Sequence, residues 1–416
     1  MVKKSSALIA CAVVFVFTAA TVCILTIAGY SLFMVNSGRL QNTQLEPQPS
    51  IAAGDYNRLD EIRGVYHNNA LTDVTDETLL DGAAKGMAWG SGDVYSEFFT
   101  AEEFKSFQQE EEGSYVGIGV AVNVDQEDKL ITAVTVYKGS PAEKGGMLAG
   151  DKIIMVGGEE VAGLSLEQTV KLVRGEAGTE VVITVLRGSD QVELKMTRAE
   201  VIMNRTEWAM LDNGMGYIKI LEFNGNAATL FDKALKELKA QGMKGLILDL
   251  RNNPGGSLDV VAPIADELFP AGPIITMVDR DGKEVPRSRI MSDSGYLNLP
   301  MVVLVNKNSA SASELLSGGI QDYKVGKLIG VTTYGKGVAQ SFYQLTDGTW
   351  LKYTSNKYLT GGGRCPQGTG FTPDVVVELD DAAKENPMIF SHTPPTSEDN
   401  QFMRAVSELA KMMQGQ

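Results

Sequence analysis

From about residue 200 onward, short apolar, β-branched runs alternate with helical stretches: strands over 215–220, 245–250 and 301–305, and helices over 227–240, 258–269 and 313–323. Such an alternation predicts an α/β core, because each strand needs a helix to cover its apolar face. The preceding part is built differently. Residues 115–198 carry the β-branched runs 130–136, 152–156 and 181–185, separated by glycine turns, with one helix over 166–173, and so predict a small β-rich module. Residues 51–107 alternate apolar and charged residues at helical spacing, clearest over 78–89, and predict a helical arm behind the Gln/Pro-rich spacer 41–50. With 416 residues, 44% apolar and 21% charged, the chain has material for two or three domains with real cores.

The first residues are Met1-Val2-Lys3-Lys4, followed by an uncharged, mainly apolar run over 7–35. That run exceeds the roughly 20 residues of a bilayer-spanning helix and is too long for a signal-peptide core of roughly 7–15 residues. It predicts a single-pass signal anchor with Lys3 and Lys4 on the cytoplasmic side and the rest of the chain outside; a signal cleaved near 35–37 is the alternative. A net charge of −15 argues against a nucleic-acid role, which needs a basic face. Of three cysteines, Cys11 and Cys23 fall in the apolar run and only Cys365 beyond it, so the remainder offers no disulfide framework and no Cys/His set for zinc.

Chemistry concentrates in two stretches, Asn308-Ser309-Ala310-Ser311-Ala312-Ser313-Glu314 and Tyr334-Gly335-Lys336-Gly337-Val338-Ala339-Gln340. The chain's two histidines, His67 and His392, lie in peripheral segments, so a serine nucleophile here pairs more readily with a lysine base. Ser311, between two alanines at a predicted helix start, has an unobstructed hydroxyl beside the positive helix end; Ser309 and Ser313 are chemically equivalent on sequence alone. Ser311 to Glu314 also fits a capping box, which needs no catalysis. A basic Lys336 must be neutral near pH 7 and hence desolvated; Tyr334, Val338 and Phe342 offer apolar cover and Gln340 an amide to orient the amine. The turn Asp249-Leu250-Arg251-Asn252-Asn253-Pro254-Gly255-Gly256-Ser257 can aim backbone N–H groups into a cleft, so Gly255, Gly256 and the Ala312 N–H are the expected oxyanion donors. Residues 330–337 nearly match a phosphate-binding loop, but Gly337 stands where Ser or Thr would bind magnesium and the next residues read as a strand.

The Ser-Ala-Ser-Ala-Ser-Glu run, Ile320-Gln321-Asp322-Tyr323, Gly335-Lys336-Gly337, Gln340, the Asn-Pro-Gly-Gly turn and Phe371-Thr372-Pro373-Asp374-Val375 together resemble the carboxy-terminal processing proteases of peptidase family S41. The resemblance implies Ser311 as nucleophile, since the family's lysine follows the middle serine at the spacing that separates Ser311 from Lys336, and Gln340 as third catalytic residue. It implies a ClpP/crotonase-like α/β core over 199–380. Separately, Tyr115-Val116-Gly117-Ile118-Gly119-Val120, Gly139-Ser140-Pro141-Ala142 and Gly145-Gly146-Met147-Leu148-Ala149-Gly150-Asp151-Lys152-Ile153 resemble a PDZ domain of the bacterial protease type, which implies an inserted PDZ domain over 113–198 with Tyr115, Val116, Gly117, Ile118 and Gly119 as the carboxylate-binding loop. Arg174 resembles a residue that couples this module to the active site. Residues 1–37 remain the anchor, 38–112 the spacer and helical arm, and 381–416 a helical tail. The expected function is a serine endopeptidase acting near protein C-termini; a catalytically silent PDZ scaffold is the alternative. Partners are protein substrates, the membrane and a second copy of the chain, with no cofactor implied. Asp93-Val94-Tyr95-Ser96, in place of the family's usual Asp-Pro-Tyr-Ser, and residues 360–365 depart from the pattern.

Overall fold

The computed structural model describes residues 57–415, apart from 126–127, 138, 294–295, 386–388 and 391. The expected anchor at 7–35 lies outside the described residues, and among those described no helix is long and apolar enough to cross a membrane. The described chain forms two compact units, 113–203 and the remainder.

In the larger unit the central sheet has six strands, in the order Thr206–Met210, Met215–Ile220, Gly245–Asp249, Met301–Val305, Lys327–Gly330 and Val375–Val376. The first pair is antiparallel and all later pairs are parallel. Strands 215–220, 245–249 and 301–305 are buried along their whole length, as expected of parallel strands covered on both faces. Alternate residues serve opposite cores. Ile218, Ile220, Leu246, Leu248, Val303 and Val305 pack with helices Ala227–Ala240, Leu258–Leu268 and Ala312–Tyr323. Tyr217, Ile247, Val302 and Leu304 pack against Phe402, Ala405 and Leu409 of the C-terminal helix Asn400–Gln414. A second sheet joins Glu97–Phe99, Trp350–Thr360, Gly272–Val278 and Ile290–Ser292, with Val338–Gln344 pairing antiparallel to Trp350–Thr360.

The arm before residue 112 comprises helices Asn57–Asn69, Asp76–Gly90 and Ala101–Glu111. Its last part is fixed to the second sheet by Phe99, Phe104 and Phe107, which cluster with Phe342 and Trp350; the Phe104 and Trp350 rings stack at 4.0 Å. Its first two helices bury almost nothing, and Leu59, Ile62 and Tyr66, one face at helical spacing, are 43–47% exposed.

The smaller unit is an antiparallel β module. Strands Val120–Val124, Ile131–Val136, Lys152–Val156, Glu180–Arg187 and Asp190–Thr197 enclose an apolar core with helix Leu166–Val173, which is capped by Ser165 and Gln168 in reciprocal hydrogen bonds. It runs to Met203 because Ala199–Ile202 pairs back onto Ser114–Gly117.

One ionic knot holds the C-terminal segment to the central sheet. The buried Arg251 guanidinium meets the Asp249 carboxylate at 2.7 Å and donates to Asp399 Oδ1 at 3.0 Å and to Gln401 Oε1 at 3.2 Å. Burial pushes the Asp249 carboxyl up, but Arg251 outweighs it and holds the group below the usual carboxylate range. A depressed folded pKa contributes stability above the ordinary range, lost as pH falls through the folded value. Arg251→Ala strands two buried carboxylates and is expected to cost about 3–5 kcal/mol, read as a lower urea midpoint at pH 7; an unchanged midpoint would refute this role.

Candidate active site

Three loops meet because three consecutive parallel strands end side by side. Strand 245–249 leads into the Arg251–Ser257 turn, strand 301–305 into the serine run, and strand 327–330 into the lysine loop. The carboxyl edge of such a sheet is where α/β proteins build sites.

Ser311 precedes helix Ala312–Tyr323 with φ 54° and ψ −114°, a conformation sparsely populated by non-glycine residues. Four hydrogen bonds hold it there. Its N–H donates to Glu314 Oε2 at 2.9 Å, and its carbonyl accepts the Glu314 N–H (2.8 Å), the Leu315 N–H (2.9 Å) and the Tyr358 hydroxyl (2.8 Å). The Ser311 hydroxyl makes no capping bond to the helix. The expected capping box is therefore closed by Glu314 reaching back, while the backbone carbonyl of Ser311 takes the N3 amide. The other two serines have different work: Ser309 Oγ donates to Leu250 O at 2.8 Å and accepts the Asn306 N–H, and Ser313 Oγ donates to Asn253 O at 2.9 Å. The three serines that sequence alone leaves equivalent are thus told apart by their hydrogen bonds.

Lys336 is 2% exposed. Its N–H donates to Glu314 Oε2 at 2.8 Å, its carbonyl accepts the Tyr358 hydroxyl at 2.5 Å, and its Nζ lies 4.3 Å from the centre of the Tyr95 ring. One carboxylate and one phenol thus each bond to the main chain of both Ser311 and Lys336. Glu314 is fully buried and accepts two further bonds at Oε1, from Thr333 Oγ1 (2.6 Å) and the Gly335 N–H (2.7 Å). Burial raises its pKa against the pull of these donors. Tyr358 is buried, and burial, with Glu314 next, pushes its phenol well above the ordinary range; it acts here as a neutral donor. Gln340, also buried, lies on strand Val338–Gln344 and donates through Nε2 to Thr354 Oγ1 at 3.0 Å.

The glycine turn packs against Ser311. Gly255 has φ 111°, and a β-carbon there would lie 2.7 Å from both Ala310 O and Ser311 Cβ, so only glycine fits. Its N–H, however, donates to Asn253 Oδ1 at 2.8 Å. In this arrangement Gly255 supplies closeness and not the expected oxyanion donor. Gly256, at φ 138°, is backed onto the Phe223 main chain. The Ala312 N–H sits in the first turn of its helix, where no intrahelical acceptor exists. The loop before Lys336 continues into strand Val338–Gln344, so the helix a phosphate-binding loop requires is not formed.

In the smaller unit, Tyr115, Gly117, Ile118 and Gly119 line a cavity of about 170 Å³ together with Val170 and Val173, whereas Val116 does not. Arg174 is on this cavity too, its guanidinium 5.8 Å from the centre of the Tyr115 ring. Burial pushes the Tyr115 phenol up to about 12.

Residues 214–377 match the model of peptidase family S41, and residues 132–187 match a PDZ domain. A probable CtpA-like serine protease of Staphylococcus haemolyticus (strain JCSC1435) is 36% identical over 314 residues, covering 75% of this chain and 62% of that protein. The photosystem II D1 C-terminal processing protease is 30% identical, covering 77% of this chain and 86% of that one, with a TM-score of 0.47. The chain belongs to peptidase family S41. A putative S41 protease from Bacteroides fragilis, 18% identical, covers 85% of this chain and 97% of that one at a TM-score of 0.51, a likeness of fold. The match spans about 62% of the length of the staphylococcal relative.

Glu314, Tyr358 and Tyr95 stand around Ser311 and Lys336 without having been assigned there by sequence reasoning. Glu314 carried a signal, its place in the serine run, but one that a helix cap also explains. Glu314→Gln keeps the size of the side chain and replaces two acceptor sites by donors facing N–H and O–H groups. It is expected to lower peptidase turnover by a factor of about 100 or more while lowering stability by only about 1–3 kcal/mol, measured by progress curves and urea melts on one preparation. Parent-like turnover would show that the carboxylate does not position the site.

Proposed function

We propose that the chain is a serine endopeptidase that cleaves proteins near their C-termini, anchored by residues 7–35 with its catalytic part outside the cytoplasm. The observation that carries this reading is the shared tether: Glu314 and Tyr358 each bond to the main chain of both Ser311 and Lys336, drawing a strained serine and a buried lysine to one place.

Burial withdraws the hydration that stabilises an ammonium, favouring the neutral amine a base must be. Neutral Lys336 takes the Ser311 hydroxyl proton as Oγ attacks the scissile carbonyl, giving a tetrahedral adduct whose oxyanion accepts from the Ala312 N–H beside the Gly255-Gly256 turn. Lys336 then protonates the leaving amine, and water resolves the acyl-enzyme by the same route in reverse. Gln340 orients the amine. In the PDZ module, the glycine-bearing segment 115–119 receives the substrate's terminal carboxylate and the apolar cavity its last side chain, with Arg174 at the rim. The exposed apolar face of Leu59, Ile62 and Tyr66 suits a second copy of the chain.

A soluble form beginning after Ser37, mixed with an unstructured protein ending in an apolar residue, tests the chemistry by intact-mass spectrometry. The parent should cleave, with Ser311→Ala and Lys336→Ala each slower by about 10⁴-fold or more; equal rates in the parent and Lys336→Ala would overturn the assignment. Capture of the substrate without cleavage by any form would favour a silent scaffold. In the Ser311→Ala protein, amidating the C-terminus of a bound apolar peptide should weaken binding at least about tenfold by fluorescence anisotropy. Equal affinity would remove the carboxylate-binding role of residues 115–119.

A further inference from the structure

The turn Asp93-Val94-Tyr95-Ser96 belongs to the helical arm, far in sequence from the serine and lysine loops, yet it lies against Lys336 and is linked to Gln340 through Thr354. Asp93 shapes it. The carboxylate accepts the Tyr95 N–H (3.0 Å) and the Ser96 hydroxyl (2.6 Å) within the turn, and the Thr354 N–H (3.1 Å) across to strand Trp350–Thr360. Thr354 Oγ1 in turn accepts the Gln340 side-chain amide at 3.0 Å. Burial pushes the Asp93 carboxyl up, and the hydrogen bonds from Ser96, Tyr95 and Thr354 outweigh it, leaving an anion at neutral pH. Immediately beyond the turn, strand Glu97–Phe99 pairs with Trp350–Thr360, and Lys352 Nζ meets Glu97 at 2.6 Å. Anchored on both sides, the turn holds the Tyr95 ring 4.3 Å from Lys336 Nζ.

We propose that Tyr95 is a positioning residue for Lys336, a wall of the site delivered by the N-terminal arm that sets both the place and the protonation balance of the amine. The inference rests on the Ser-Lys reading above. An aromatic wall acts on an amine in two opposed ways: its bulk excludes water, which favours the neutral form, and its electron-rich face attracts the cation. The two can be separated. Tyr95→Leu keeps apolar bulk and removes the face, Tyr95→Ala admits water, and Tyr95→Phe keeps both effects. Other titratable groups around the lysine loop are Glu314, which accepts the Lys336 N–H, Tyr358, which donates to the Lys336 carbonyl, and Cys365, whose Sγ lies 3.6 Å from Gly337 O. None is altered in this series, so a shift reads the ring.

The test is the pH dependence of kcat/KM for the parent and the three variants, with thermal unfolding of each as a control for folding. The acid limb should move down by about one pH unit in Tyr95→Leu and up in Tyr95→Ala, and Tyr95→Phe should restore the parent's limb. A fixed limb across all three variants, with activity lost or kept, overturns the proposal, as does Tyr95→Phe behaving like Tyr95→Ala. The underlying reading fails separately: residual activity of Lys336→Ala would then retain the parent's acid limb, showing that the limb never belonged to the lysine.

Discussion

The site depends on one buried carboxylate. Four donors converge on Glu314: main-chain N–H groups of Ser311, Gly335 and Lys336 and the Thr333 hydroxyl. A carboxylate offers acceptor sites alone, on two oxygens, which is what this convergence requires; an amide or a hydroxyl of similar size would present a donor to at least one of these groups. The carboxylate welds the serine run, which follows one strand, to the lysine loop, which follows the next. The Ser311 backbone is held in a sparsely populated conformation as a result. Tyr358 repeats the link from the second sheet by bonding to both carbonyls.

The sheet makes that convergence possible. Three parallel strands deliver their loops to one edge, and each strand is clamped between two apolar cores, so the loop origins are fixed by packing. Arg251 extends the rigidity to the glycine turn, tying the residues just before it to the C-terminal helix through Asp249 and Asp399. Close packing of Gly255 on Ser311 then leaves no room for a side chain.

The core of the fold was legible because its signals are local. The alternation of mainly apolar strands with helices predicts strands 215–220 and 301–305 and helix 227–240 with the bounds they have in the structure, and the others of that alternation to within a residue. The serine and lysine runs were legible as motifs. Contacts between distant segments were not: nothing local to Tyr95 says that it lies against Lys336, and nothing local to Thr354 says that it accepts from Gln340. The Gly255 amide shows the same limit at short range. A glycine turn promises an exposed N–H, but the Asn253 side chain two residues earlier engages it, and only the folded turn reveals this. Arg174, expected from family resemblance to couple module and active site, sits on the module's own cavity with its guanidinium against Tyr115.

The central claim is that Ser311 is a nucleophile activated by Lys336 and that its two neighbouring serines are structural. Time-resolved labelling with a serine-acylating probe, followed by peptide mapping, tests it most directly. The account predicts one label per chain, on Ser311, formed at least about a hundred times more slowly in Lys336→Met. Labelling of Ser309 or Ser313, or equal labelling rates with and without the lysine, would contradict it.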